Sequence, residues 1–352
     1  MLHTYWIDIV GTCNLRCPSC ATGNFRKSDF QGEEKALGFM AFDMFERILE
    51  KIAAERPNER ARIELYNWGE PLLHPRAADF IAKVKSYPLF RCGISSNLSH
   101  KVDLLRVVRA QPDWIRISLS GYFQSTYGRT HRRGDINLVK SNMFMLRHLI
   151  DRLKSPVVIE VSYHVYRHNA GEDLERMRAL CDELGFKFAP AWASFYPVEK
   201  VMAYFDGHVG EADRETISWL AVTPDEFHAA AQPHRAEPCR LQEHQTAINH
   251  DGAVQLCCAT YDPAHVIAPD FLATSATELG AAKARNATCD ACIAGGYHAM
   301  MMYRGMDVLE PLANARIAER GSRVQLVAGK IVAADIGGTA DGDAAAGLRS
   351  TQ

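Results

Sequence analysis

Cys13-Asn14-Leu15-Arg16-Cys17-Pro18-Ser19-Cys20 stands directly after an apolar, β-prone run, residues 5–10, that Gly11 closes. Three residues separate the first two cysteines and two separate the second pair. A loop with that spacing wraps three thiolates around one face of a cubane iron–sulfur cluster. Electron-transfer clusters use four cysteines, and structural zinc sites also close with four ligands. Three thiolates leave one iron open, as a substrate-binding cluster requires. A zinc knuckle competes, but the position of the loop at the end of a strand speaks against it.

Outward from this loop the chain alternates strand and helix patterns. Residues 40–52 put Met44, Phe45, Ile48, Leu49 and Ile52 on one helical face. Residues 62–66 read as a second strand, 77–85 as a helix stopped by Pro88, 90–95 as a third strand, and 102–108 as a helix. A fourth strand at 114–119, a long helix at 136–153, a fifth strand at 157–163, a helix at 173–184 closed by Gly185, and a sixth strand starting at 186 complete the rhythm. This alternation predicts a parallel sheet with helical crossovers. Six units by about residue 195 fall short of the eight of a closed barrel. The expected class is α/β, a partial (β/α)6 TIM-like barrel with its ligand site at the C-terminal strand ends.

Beyond the barrel the pattern changes. Residues 1–195 form the expected core and 196–235 an irregular, partly helical connector. Residues 236–304 form a small C-terminal β-hairpin/helix domain, where His250-Asp251-Gly252 between two short apolar runs predicts a tight turn. Residues 305–334 are an extension with a helix and a short hairpin around Gly329, and the Gly-, Ala- and Asp-rich segment 335–352 is expected to be disordered.

The chain has ten cysteines. Clustered cysteines in a reducing compartment read as metal ligands rather than disulfides. Cys239, Cys257 and the pair in Cys289-Asp290-Ala291-Cys292 form a second group, and four thiolates close around one centre, either an iron–sulfur cluster or tetrahedral zinc. Cys92 and Cys181 are isolated and read as buried structural thiols.

The first cysteine loop resembles the radical S-adenosylmethionine (SAM) superfamily, whose hallmark is this spacing. The resemblance implies that Cys13, Cys17 and Cys20 hold a [4Fe–4S] cluster whose open iron binds SAM. Reduction then yields a 5′-deoxyadenosyl radical that abstracts hydrogen from an unactivated C–H bond. Asn67-Trp68-Gly69-Glu70-Pro71 is similar to the family's Gly-Gly-Glu-Pro segment, with Trp68 in place of the first glycine; Gly69 and Glu70 are then expected at the SAM amino group. Ser95-Ser96-Asn97 and Ser118-Leu119-Ser120-Gly121 resemble the segments near the adenosine, which implies Ser96, Asn97 and Ser118 as SAM contacts. In Arg129-Thr130-His131-Arg132-Arg133 the resemblance implies a cation for the SAM carboxylate; Arg132 is the choice, with Arg129 and His131 as alternatives.

The second group resembles the Twitch domain, the short form of the SPASM extension. That implies an auxiliary [4Fe–4S] cluster on Cys239, Cys257, Cys289 and Cys292. Cys258 is left over. It is a packed neighbour or, as in related epimerases, a hydrogen-atom donor and so the one catalytic candidate. The resemblance covers residues from about 5 to 300. By family analogy the electron donor is a flavodoxin or ferredoxin.

A net charge of −2 gives no basic field for a nucleic-acid partner. No run of eighteen apolar residues suggests a membrane partner, and the start is too short and polar for a signal peptide, so a cytoplasmic enzyme is expected. The leading expectation is an oxidoreductase or epimerase acting on a carbinol carbon of a carbohydrate-like or aminocyclitol small molecule. It rests on chain length, on strand one starting at residue 5, and on a Twitch domain shared with the aminocyclitol dehydrogenase of the butirosin pathway. The alternatives are a peptide or protein maturase of the RiPP or sulfatase-maturation type, and a non-catalytic iron–sulfur electron-transfer protein. Substrate contacts are expected on the loops after strands four to six and in the connector; Tyr163, His164, Trp192 and Tyr196 stand near those strand ends, where aromatic residues equally serve packing.

Overall fold

Six strands form the centre of the computed structural model, which describes residues 2–25 and 37–333. They are β1 (His3–Ile7), β2 (Ala61–Glu64), β3 (Phe90–Ser96), β4 (Trp114–Ser118), β5 (Val158–Val165) and β6 (Lys187–Trp192). All are parallel, in the order β6-β5-β4-β3-β2-β1. Helices α1 (Ala21–Asn24), α2 (Phe42–Glu55), α3 (Ala77–Lys85), α4 (Leu104–Arg109), α5 (Gln124–Thr130), α6 (Ile136–Leu153) and α7 (Glu172–Leu184) fill the crossovers. This is the expected partial barrel; the tail at 335–352 lies outside the described residues.

Local chemistry sets the element ends. Phe45, Ile48, Leu49 and Ile52 of α2 are buried as their spacing predicts. Asp135 caps α6 by accepting from the N–H groups of Asn137 (2.8 Å) and Leu138 (3.3 Å). Gly185 ends α7 at φ 62°, a left-handed conformation that costs glycine little. The missed helices of the crossovers are the four-residue α1 and α5. The sequence of α5, QSTYGRT, buries only Tyr127 and Thr130 and carries no apolar period.

The rest of the chain comprises α8 (Val198–Phe205), α9 (Glu211–Ser218), α10 (Pro224–Ala231), α11 (Arg240–His244), β7 (Gln245–Ile248), β8 (Val254–Gln255), β9 (Val266–Ala268), α12 (Ala276–Ala284), α13 (Ala287–Gly295), α14 (Tyr297–Met301), α15 (Met306–Ala318), β10 (Val324–Val327) and β11 (Lys330–Ala333). The expected hairpin at the Asp-Gly turn is β7–β8, with Gly252 at φ 87°. It does not stand apart from the barrel. β7 pairs in parallel with β1, Thr4 opposite Gln245 and Ile7 opposite Ile248, and β8 and β9 continue antiparallel, so one sheet runs through nine strands.

Candidate functional site: two cysteine-lined cavities

The three cysteines after β1 line one cleft of about 350 Å³ at the C-terminal strand ends, together with Gly69, Glu70, Ser96, Asn97 and Ser118. That volume suits a small-ligand cleft. The cysteine loop is shaped by its backbone. Cys20 N–H donates to the Cys17 carbonyl (3.2 Å), and Asn24 N–H donates to the Cys20 carbonyl (2.9 Å). Leu15 N–H donates to Cys13 Sγ (3.4 Å), as a thiolate in that place would favour. Burial pushes the Cys13 thiol up to about 12 and raises those of Cys17 and Cys20, so binding a metal centre must expel their protons. Among the described residues no three His, Cys, Asp or Glu side chains converge on one metal ion. A tetrahedral zinc would need sulfurs only about 3.8 Å apart. Three thiols lining one open cleft of that volume leave room for a many-atom cluster.

The wall facing these cysteines hangs on a residue that sequence reasoning missed. Asp8, just past β1 and 2% exposed, accepts from three successive N–H groups: Asn67 (2.7 Å), Trp68 (3.0 Å) and Gly69 (3.1 Å). Its partners lie about sixty positions away, so no local pattern marks it. Asp8→Ala strands those donors and is expected to cost about 3 kcal/mol or more, read as a lower urea midpoint at unchanged slope. A change within about 0.5 kcal/mol would show that water replaces the carboxylate.

Gly69 presses on the cysteine loop itself. A Cβ there would stand 1.7 Å from the Val10 carbonyl oxygen, and the next residue, Glu70, donates its N–H to the Thr12 carbonyl (2.9 Å). Both Glu70 carboxylate oxygens are engaged, Oε1 by Leu72 N–H (3.1 Å) and Oε2 by Asn97 N–H (2.8 Å), and burial raises its pKa. Trp68, in the family's glycine position, turns its ring away toward the C-terminal strands. Its Nε1 donates to the Thr260 carbonyl (2.9 Å), and the ring packs on Tyr196 and Tyr261 with centroids 5.2 and 5.3 Å away.

Arg132 is not among the residues lining the cleft. It is half-exposed and pairs with Glu215 at 3.3 Å, because the tight turn after α5 carries it outward. The cleft instead holds His131, Arg116 and His164. Arg116 is anchored by Tyr66 Oη (3.2 Å) and Glu160 Oε1 (3.1 Å). The signal for it was present: Arg116 shares a strand face with Ser118 two residues on. The same holds for Ser162 and His164 on β5. Burial lowers His131 to about 3, so it is a neutral imidazole at physiological pH. Of the four residues named near the strand ends, His164 and Tyr196 line the cleft, whereas Tyr163 and Trp192 are packed in the core.

Cys239, Cys257, Cys289 and Cys292 line a second, smaller cavity with Leu241, Leu256 and Ile293. Cys239 stands at the N-cap of α11, Cys257 follows β8, and Cys289 and Cys292 share one face of α13. The expected Cys-x-x-Cys turn is thus one turn of a helix, capped by Asn286, which accepts from Thr288 N–H (3.0 Å). Cys258 lines neither cavity; its Sγ donates to Gln245 Oε1 (2.8 Å), and burial pushes it up to about 12. Cys92 and Cys181 are fully buried in the core, in keeping with structural thiols. The two cavities share a wall: Trp68 and Tyr196 line the first, while Thr260, which accepts from Trp68, lines the second.

A family model described as the Radical SAM superfamily matches residues 7–180. A curated relative, the tungsten-containing aldehyde ferredoxin oxidoreductase cofactor-modifying protein of Pyrococcus furiosus, is 37% identical over 92 residues, 26% of this chain and 23% of that protein. The match therefore spans less than a quarter of that relative's length. Among solved structures, anSMEcpe with bound AdoMet aligns at a TM-score of 0.51 and 13% identity, covering 82% of each chain. BtrN in complex with AdoMet and 2-DOIA aligns at 0.45 and 13%, covering 84% of this chain and 89% of that one. Streptococcus suis SuiB bound to precursor peptide SuiA aligns at 0.49 and 14%, covering 82% and 69%. At such identities the likeness to anSMEcpe is one of fold.

Proposed function

This chain belongs to the radical SAM superfamily, a superfamily of enzymes, and on that footing we propose that it reductively cleaves SAM to oxidise or epimerise a hydroxyl-bearing carbon of a small polar molecule, carbohydrate-like or aminocyclitol in kind. Cys13, Cys17 and Cys20 would hold the [4Fe–4S] cluster. Cys239, Cys257, Cys289 and Cys292 would hold an auxiliary one. Bound in the first cleft, cluster and SAM together supply, on reduction, the oxidant that removes a hydrogen atom from carbon.

The chain's own residues bind and orient. The Gly69–Glu70 wall, fixed by Asp8, would take the SAM amino group, and Ser96, Asn97 and Ser118 the adenosine side. Arg116, held by Tyr66 and Glu160, is a better carboxylate partner than the outward Arg132. The lining carries the substrate proposal: Ser120, Thr130, Ser162, His131 and His164 all border the same cleft. Such polar walls match the hydroxyls of a polar molecule. A flavodoxin or ferredoxin is the proposed electron donor.

The test uses the anaerobically reconstituted protein with SAM, dithionite, and sugars or aminocyclitols deuterated at their carbinol carbons. Deuterium transferred to 5′-deoxyadenosine supports the proposal. Transfer only from labelled peptides moves the substrate to the maturase class. Full iron loading without SAM cleavage under any reductant removes the enzymatic reading and leaves an electron carrier.

A further inference from the structure

Lys283, near the end of α12, is 4% exposed. Its Nζ donates to two main-chain carbonyls, those of Gln242 (3.5 Å) and Gln245, at the end of α11. Gln242 Nε2 donates back to the Lys283 carbonyl (3.1 Å), which clamps α11 to α12. Among the described residues no carboxylate pairs with this ammonium. Gln242, the residue it clamps, lines the second cavity beside Cys239, Cys257, Cys289 and Cys292, and Gln245 accepts from Cys258 Sγ through its Oε1 (2.8 Å). An unpaired buried ammonium costs several kcal/mol. Carbonyl dipoles at a helix end offset only part of that.

The cysteines offset nothing as free thiols. With a centre bound they are thiolates, and four of them outweigh the charge of a cluster core or a zinc ion. The site then carries net negative charge in an apolar cavity, where a fixed cation acts strongly. A buried lysine is thus unfavourable beside empty cysteines and favourable beside loaded ones.

We propose that Lys283 is the built-in counter-charge of the auxiliary centre and sets its reduction potential. The proposal rests on reading the second cysteine group as an iron–sulfur site. Adding an electron makes that site more negative, so the ammonium favours the reduced form and holds the potential up. Lys283 is a positioning residue here; it contacts no substrate.

The experiment is a redox titration of the reconstituted full chain followed by electron paramagnetic resonance, with iron counted in each sample. Lys283→Met is expected to keep its iron and shift the auxiliary midpoint to more negative potential, with the first cluster unmoved. Lys283→Arg, which keeps the charge, is expected to stay near wild type. Wild-type iron and an unmoved midpoint in Lys283→Met would overturn the proposal. If Lys283→Met loses the auxiliary iron, Lys283→Arg decides: retained iron at the wild-type potential supports the charge, and loss in both shows a purely steric role. If the wild type itself holds about four irons and a zinc, the cluster reading falls and the charge is tested on zinc retention against a chelator. Retention that drops in Lys283→Met but not in Lys283→Arg supports the counter-charge; equal retention refutes it.

Discussion

Changing Cys13, Cys17 and Cys20 together to alanine is expected to halve the iron of the reconstituted protein, from about eight to about four per chain, and to abolish SAM cleavage while the fold stays intact. The thiols border a cleft and are only half-buried, so losing sulfur opens no core cavity. The loop keeps its shape through bonds that need no sulfur. Arg16 N–H donates to the Arg132 carbonyl (3.0 Å), Arg16 Nη1 to the Cys13 carbonyl (2.9 Å), and Gly23 N–H to the Cys20 carbonyl (3.0 Å). Circular dichroism and the thermal midpoint should therefore match wild type. The reciprocal variant, Cys239, Cys257, Cys289 and Cys292 to alanine, is expected to keep about four irons and retain SAM cleavage. Persistent cleavage in the triple variant, or an unchanged iron count, would mean that the cleft is not where SAM reacts.

Gly69→Ala carries the second large expectation: SAM cleavage lower by about 10²-fold, the loss that a displacement near 1 Å brings at a reacting centre. The added methyl meets backbone on every side, with the Val10 carbonyl oxygen at 1.7 Å, the Val10 carbonyl carbon at 2.8 Å and the Thr12 carbonyl oxygen at 3.1 Å. No rotamer relieves such a clash, so either the Asn67–Glu70 wall retreats or the cysteine loop does. Both moves spoil the spacing between Cys13 and Glu70. Stability should fall by about 1–3 kcal/mol. Gly280→Ala is the control, since a Cβ there meets nothing within 4 Å and the position is inside α12; it should be neutral or stabilising by up to about 1 kcal/mol. Equal behaviour of the two variants would show that the Gly69 wall yields freely.

The fold was largely legible because its signals are local. The apolar faces of α2 and α6, Gly185 after α7, and short β-prone runs between them mark each unit within a few residues. The cysteine spacings were legible for the same reason. What stayed hidden depends on distant partners. Asp8 acts through N–H groups some sixty residues away. The β1–β7 pairing joins residues about 240 apart, and nothing in Gln245–Ile248 announces its neighbour. The resemblance points to a cation within Arg129–Arg133, with Arg132 as the choice, whereas Arg116 inside a strand carries no motif. In a barrel, inward strand positions are the floor of the site, which makes Arg116 the informative one. Lys283 sits in a helix of ordinary composition, and only its burial distinguishes it.

The nine-stranded sheet has a consequence for how such a protein can be cut, grafted or inherited. β1 lies between β2 and β7, so the strand that leads into the first cysteine loop is flanked on one side by the C-terminal unit. Removing that unit would turn an interior strand into a bare edge, with the unpaired N–H and C=O groups that recruit foreign strands. Trp68 would at the same time lose Thr260, its anchor across the shared wall. The second cysteine group is therefore not an accessory hung on a finished barrel. The two halves are stitched at their first strand, and any recombination that exchanges one must supply a matching seam in the other.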